Sequence, residues 1–181
     1  MKLSHPEGVE LWAMDEHRIG LKPILRRVWS RRGTRPRVVV NHRYQWSYLY
    51  GFVHPNSGRS FWLIMPTVSI PAFNAALREF AAFTAASPAK HVFLLLDGAG
   101  WHSSKAVVCP PGLHLLFLPA YSPELQPAEP LWSLSNKPLA NRCFASLDEL
   151  EAIQADWCDR LQDDLVRLRS STRFHWWPDA V

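Results

Sequence analysis

Residues 91–101 read HVFLLLDGAGW, an apolar run that ends in an acid and is followed at once by glycine. Val92 to Leu96 are apolar without interruption, so they lack the alternation of a half-exposed strand. Such a run fits a strand covered on both faces, as in the middle of an α/β sheet. Asp97 then stands at its carboxyl end, on the sheet edge where open α/β folds bind ligands. Gly98 and Gly100 leave room there for a sharp turn and for a bulky partner.

Two other apolar runs end near acids. VELWAM (9–14) runs into Asp15, Glu16 and His17, and LHLLFL (113–118) leads into a proline-rich loop with Glu124 and Glu129. If the strands before Asp15 and Asp97 are neighbours, Asp15, Asp97 and Glu129 converge. Three carboxylates at close range repel each other unless a cation lies between them. An all-oxygen donor set selects Mg²⁺ or Mn²⁺ over zinc, and two such ions ~4 Å apart suit phosphoryl displacement.

Charge along the chain is segregated. The formal net charge is +4, yet no Asp or Glu occurs between Glu16 and Glu79. That interval holds Arg18, Lys22, Arg26, Arg27, Arg31, Arg32, Arg35, Arg37, Arg43, Arg59 and Arg78, whereas acids gather between Asp148 and Asp164. A one-sign, arginine-dominated segment points to a polyanion, most simply nucleic acid. Residues 18–43 read as an exposed basic hairpin or loop, broken by Pro23, Gly33 and Pro36, with Trp29 as an anchor or a stacking surface.

The rest of the chain fills in an α/β order. YQWSYLYGFV (44–53) and RSFWLIM (59–65), around the turn cluster HPNSG, read as a hairpin. Ile70, Phe73, Leu77 and Phe80 mark a helix over 71–86. A short helix is expected over 102–107, a buried strand over 113–118, and a helix from Pro127 that puts Glu129 in its first turn and continues over 136–143. SLDE (146–149) is a capping box that opens a helix to about 169. His17 and His42 read as surface residues and His114 as a core histidine. The fold class is therefore α/β, a mixed sheet of about five strands flanked by helices, and residues 1–181 read as one domain. No run of ~18 apolar residues suggests a membrane span. Three scattered cysteines and no apolar leader fit a reducing, cytoplasmic setting.

AMDEHRIGL, LLLDGAGWHSS and LPAYSPELQPAEPLW together resemble the three signature blocks of DDE transposases, nearest to the mariner-like bacterial insertion-sequence relatives. The third block is the most specific. The resemblance implies an RNase H-like (ribonuclease H/integrase core) fold. It implies Asp15, Asp97 and Glu129 as catalytic metal ligands, for Mg²⁺ or Mn²⁺ and for two ions. Glu124 competes for the third place, and the motif favours Glu129. The implied activity is DNA cleavage at a transposon end, then attack of the freed 3′-hydroxyl on target DNA. Arg26, Arg27, Arg31, Arg32, Arg35 and His102 become DNA contacts, and a homodimer becomes the working form, associated with the bacterial nucleoid. The family's N-terminal helix-turn-helix region has no counterpart here, so a separately encoded half is a further expected partner. A structure-selective nuclease on the same fold, or an inactive DNA-binding remnant, are the alternatives.

Overall fold

The computed structural model describes residues 8–40, 43–120 and 122–179. The chain runs β1 (Val9–Gly20), β2 (Trp46–His54), β3 (Arg59–Met65), α1 (Ile70–Thr84), β4 (His91–Leu96), β5 (Leu113–Phe117), a 3-10 turn over Pro123–Leu125, α2 (Pro130–Ser135), α3 (Leu147–Asp163) and α4 (Leu165–Thr172). One sheet has the order β3-β2-β1-β4-β5. The β1–β2 and β2–β3 pairs are antiparallel, and β1–β4 and β4–β5 are parallel. This is the mixed five-stranded sheet flanked by helices that the sequence suggests.

Strand alternation builds two cores. Trp12, Met14, Tyr50, Phe52, Val92, Leu94 and Leu96 meet Phe73, Ala76, Leu77 and Phe80 of α1. Ala13, Ile19, Leu49 and Val53 point the other way, onto Leu131 and Trp132 of α2, Leu150 and Leu161 of α3 and Leu168 of α4. Helix α1 starts where the Ser69 side chain accepts the Ala72 N–H, with Pro71 in the first turn. Ser146 likewise accepts the Glu149 N–H, and the Glu149 carboxylate reaches back to the Ala145 N–H at 2.8 Å. Among the described residues no helix is long and apolar enough to cross a membrane.

Several local expectations change. Strand β1 does not stop at Met14. It continues to Gly20 because β2 pairs with it as far as Gly20↔Trp46. Asp15 therefore lies inside a strand, and the basic segment begins only after Gly20. Strand β5 is an edge strand, with Leu116 and Phe117 40% and 47% exposed. His114 on it is exposed and contacts His91 rather than sitting in the core. Residues 102–107 form turns, not a helix, and so do 136–140. The long C-terminal helix is two, because the Asp164 side chain accepts the Arg167 N–H and starts α4 afresh. His42 lies outside the described residues.

Candidate active site

The β1–β4 register ends at the pair Ala13↔Leu95. Two residues further along each parallel strand stand Asp15 and Asp97, so the register sets them side by side. Glu129 comes from the third block and sits at the amino-terminal cap position of α2, with its side chain making no capping bond. Asp15, Asp97 and Glu129 line one cleft of about 400 Å³, with Gly98, Ala99, Leu118, Pro119, Ala120, Ser122, Pro123 and Gln126. Glu124 is not part of that lining; it stays in the 3-10 turn.

Three side chains whose roles composition alone did not reveal, Gln126, Trp132 and His17, fix this arrangement. Gln126 donates to the Met14 carbonyl at 3.1 Å and accepts the Ala128 N–H at 3.2 Å, which docks the third block onto β1 just before Asp15. Trp132 donates from its indole to Asp15 Oδ2 at 2.9 Å, while Asp15 Oδ1 accepts the Glu16 N–H at 2.8 Å. His17 is not a free surface residue: it stacks on Trp132 with ring centres 5.0 Å apart and contacts Asn136. Room for the indole comes from Gly51, which pairs with Asp15 across β1–β2. A Cβ on Gly51 would lie 3.0 Å from both Trp132 and Trp62.

On the opposite face the loop after β4 folds back on itself. The Ala99 N–H bonds to Asp97 Oδ1 at 3.1 Å, and the His102 N–H bonds to the Ala99 carbonyl at 2.9 Å. This turn brings the His102 ring beneath Asp97. The ring is 1% exposed, with Nδ1 2.7 Å from Asp97 Oδ1 and Nε2 2.8 Å from Glu16 Oε1. Phe73 of α1 closes over it, ring centres 4.6 Å apart. His102 is thus no outward phosphate contact; both its nitrogens are engaged inside the protein. Glu16 points away from Asp15, as consecutive strand residues must.

The environments drive the two aspartates apart electrostatically. Burial pushes Asp15 up to about 7, aided by the Glu16 and Glu129 carboxylates and opposed by the bonds from Trp132 and the Glu16 N–H. His102 holds Asp97 below the ordinary carboxylate range, against some burial. Burial alone would lower His102, but its bonds to Asp97 and Glu16 outweigh that and raise it to about 9. A cleft with an acid this reluctant to ionise beside other carboxylates suits a cation. Among the described residues no three His, Cys, Asp or Glu side chains already enclose a single ion-sized centre; the carboxylates ring the cleft instead. Their all-oxygen chemistry fits a hard divalent ion.

The basic segment leaves the sheet where β1 ends, at Gly20. Arg26, Arg27, Arg31, Arg32 and Arg35 are exposed, and Trp29 is 103% exposed, so it anchors nothing in the core. The segment's described residues beyond Gly20 form no strand ladder. Its tip turns at Gly33 (φ 83°), with the Thr34 N–H bonded to the Arg31 carbonyl. Its root is tied to the stretch after α2. Asn141 accepts the Arg26 N–H at 2.9 Å, donates to the Arg26 carbonyl at 3.0 Å, and bonds the Ile24 carbonyl through its own N–H at 2.8 Å. The Arg26 guanidinium also donates to the Ser133 carbonyl.

A family profile described as DDE superfamily endonuclease matches residues 10–151. Over 106 residues the chain is 34% identical to "Uncharacterized protein y4pE/y4sA" of Sinorhizobium fredii (strain NBRC 101917 / NGR234), covering 58% of this chain and 77% of that one. The fold resembles that in the crystal structure of the Mos1 mariner paired end complex with Mn. The TM-score is 0.63 at 16% identity, over 96% of this chain and 58% of that one. It also resembles the catalytic domain of Mos1 mariner transposase, with a TM-score of 0.54 at 15% identity over 92% and 84% of the two chains. At such identities the structural likeness is one of fold, the RNase H-like fold of transposase catalytic domains. The chain spans less than two thirds of the longer Mos1 chain.

Proposed function

The chain belongs to the DDE superfamily endonucleases, and on that premise we propose that it is a transposase catalytic unit that cuts and joins DNA with divalent cations. The observation that carries the reading is the meeting of Asp15, Asp97 and Glu129, each from a different sequence block, on the wall of one cleft. These three would hold Mg²⁺ or Mn²⁺, two ions in the working state; Mos1 mariner paired end complexes are known with Mn and with Mg. When bound, the metal neutralises the phosphate and the developing charge on the attacking and leaving oxygens.

The chain's own residues supply position. Trp132 and the Glu16 N–H orient Asp15. Gly98, Ala99 and Ala120 give the cleft small walls that admit a sugar-phosphate backbone. The exposed arginines of the 21–40 segment bind flanking phosphates without reading bases. In the first step water adds to a backbone phosphorus and the P–O3′ bond breaks, leaving a 3′-hydroxyl and a 5′-phosphate. In the second, that 3′-oxygen adds to a target phosphorus and displaces the target's own 3′-oxygen. One P–O bond forms for each that breaks, so no outside energy source is required. A homodimer on paired ends belongs to this same proposal.

The test supplies a duplex with a free 3′-hydroxyl, a target plasmid and Mg²⁺ or Mn²⁺, without ATP. Joined product that Asp97→Ala abolishes supports the transposase. Nicking without joining turns the reading to a nuclease, and DNA binding with neither reaction turns it to a remnant.

A further inference from the structure

The position of His102 calls for a role, since it reaches neither solvent nor the cleft. It is 1% exposed, and its two nitrogens join a carboxylate of the cleft to a carboxylate that has no part in the cleft. Asp97 is 56% exposed at the side chain, whereas Glu16 is only 6% exposed. Oδ1 of Asp97 takes both the His102 bond and the Ala99 N–H, which leaves Oδ2 as the oxygen open to a ligand. Glu16 is itself held: the Trp101 indole N–H donates to Glu16 Oε1 at 3.3 Å, the same oxygen that His102 meets. A carboxylate buried this deeply is costly unless paired and hydrogen-bonded. Among the described residues His102 is the only ion-pair partner of Glu16, at 2.8 Å, and the Trp101 indole adds a longer hydrogen bond to the same oxygen.

Resting on the metal-dependent reading above, we propose that Glu16 and His102 are positioning residues that lock Asp97 with Oδ1 turned inward and Oδ2 presented to the cation. Asp97 alone could rotate about its χ angles at the open end of β4. The imidazole prevents that rotation, and Glu16 fixes the orientation of the imidazole. The arrangement resembles outer-shell control of a metal ligand, except that the histidine steers and the carboxylate ligates.

Two measurements on the full chain test this. Without metal, ¹⁵N-edited NMR of wild type reads the His102 imidazole N–H protons, expected to be downfield and slow to exchange because both are bonded and buried. Asp97→Asn is expected to shift the Nδ1–H signal, and Glu16→Gln the Nε2–H signal. With Mn²⁺ alone as the ligand, calorimetry compares wild type, His102→Ala, His102→Gln and Glu16→Gln. Affinity is expected to fall about tenfold or more in His102→Ala, with partial recovery in His102→Gln, whose amide still donates. Phe80→Leu, a core change on the same face remote from the cleft, controls for stability; it is expected to lower the melting temperature and leave Mn²⁺ affinity unchanged. A folded His102→Ala that binds Mn²⁺ like wild type overturns the proposal. So does a fast-exchanging His102 ring in the wild type. If wild type shows the protected ring yet takes up no Mn²⁺, the metal-dependent reading falls, and the positioning role with it.

Discussion

The indole of Trp132 reaches across the sheet to Asp15 Oδ2 at 2.9 Å, so the residue three places after Glu129 orients the carboxylate of the first block. The third block thus brings Glu129 to the cleft and also the donor that sets Asp15. Trp132→Phe keeps most of the packing and removes only the donor. Calorimetry should show Mn²⁺ affinity down by roughly tenfold, and urea unfolding a loss of about 1 kcal/mol.

Gly51 leaves Trp132 its place. A methyl there would stand 3.0 Å from two tryptophan rings and 3.2 Å from Leu131. Gly51→Ala is expected to cost about 1–3 kcal/mol through overpacking, read from the urea midpoint. It should also lift Trp132 from Asp15, so Mn²⁺ affinity should fall with stability. An unchanged midpoint would show the site to be more yielding than its geometry implies.

Asp15 predicts a pH dependence. Its folded pKa of about 7 lies above the ordinary value of 3.8, so the folded state holds the proton more tightly. Its contribution to stability is complete below about pH 4 and is lost as pH rises through 7. His102, raised to about 9, adds a loss in the same direction between about 6.5 and 9. The metal-free melting temperature should therefore fall from pH 5 to pH 8. Asp15→Asn should flatten the part below 7, and Mn²⁺ should restore stability most at the alkaline end. Uptake of Mn²⁺ near pH 6 should release protons, detectable as a buffer-dependent heat.

The basic segment predicts a salt slope. Replacing Arg31, Arg32 and Arg35 by alanine should weaken duplex binding at low salt. It should also lower the slope of log K against log salt by about 0.9 for each phosphate contact removed. Anisotropy at several salt concentrations checks this, and an unchanged slope would remove these residues from the interface.

Asn141 predicts a separable effect. It holds the root of that segment in a left-handed conformation (φ 58°) that asparagine tolerates well. Asn141→Ala removes the two side-chain bonds to the Arg26 backbone and strains the left-handed backbone whose N–H meets the Ile24 carbonyl. Faster amide exchange over 21–40 and weaker DNA binding are expected, with Mn²⁺ affinity unchanged.

The sheet was legible because it rests on local signals. Five apolar runs, a turn cluster between 54 and 58 and a proline at 71 marked its elements. The convergence of Asp15, Asp97 and Glu129 was legible because two of them directly adjoin apolar runs and the third block favours Glu129 over Glu124 beyond a loop. What escaped depends on partners far away in sequence. Nothing near Asp15 signals that β1 continues to Gly20; β2 imposes that, from more than 25 residues away. His102 read as an outward contact because five-residue spacing after Asp97 does not reveal a turn that folds back through Ala99. Trp132 and Gln126 were visible within the third block, yet only the packed structure shows which backbone and carboxylate they reach. His114 looked buried because an edge strand and a central strand share one apolar composition, and only the pairing order separates them.

One alternation along β1 has a wider consequence. Asp15 faces Trp132 and the α2–α4 layer, whereas Glu16 faces His102 and α1. The two aspartates are therefore each tensioned from a different hydrophobic layer, like a string tuned from both ends. Loosening the contacts that hold Trp132 in one layer or His102 in the other detunes one carboxylate and leaves the other in pitch. Inactivating lesions at these contacts should accordingly fall into two classes, one per layer, told apart by which aspartate has lost its partner.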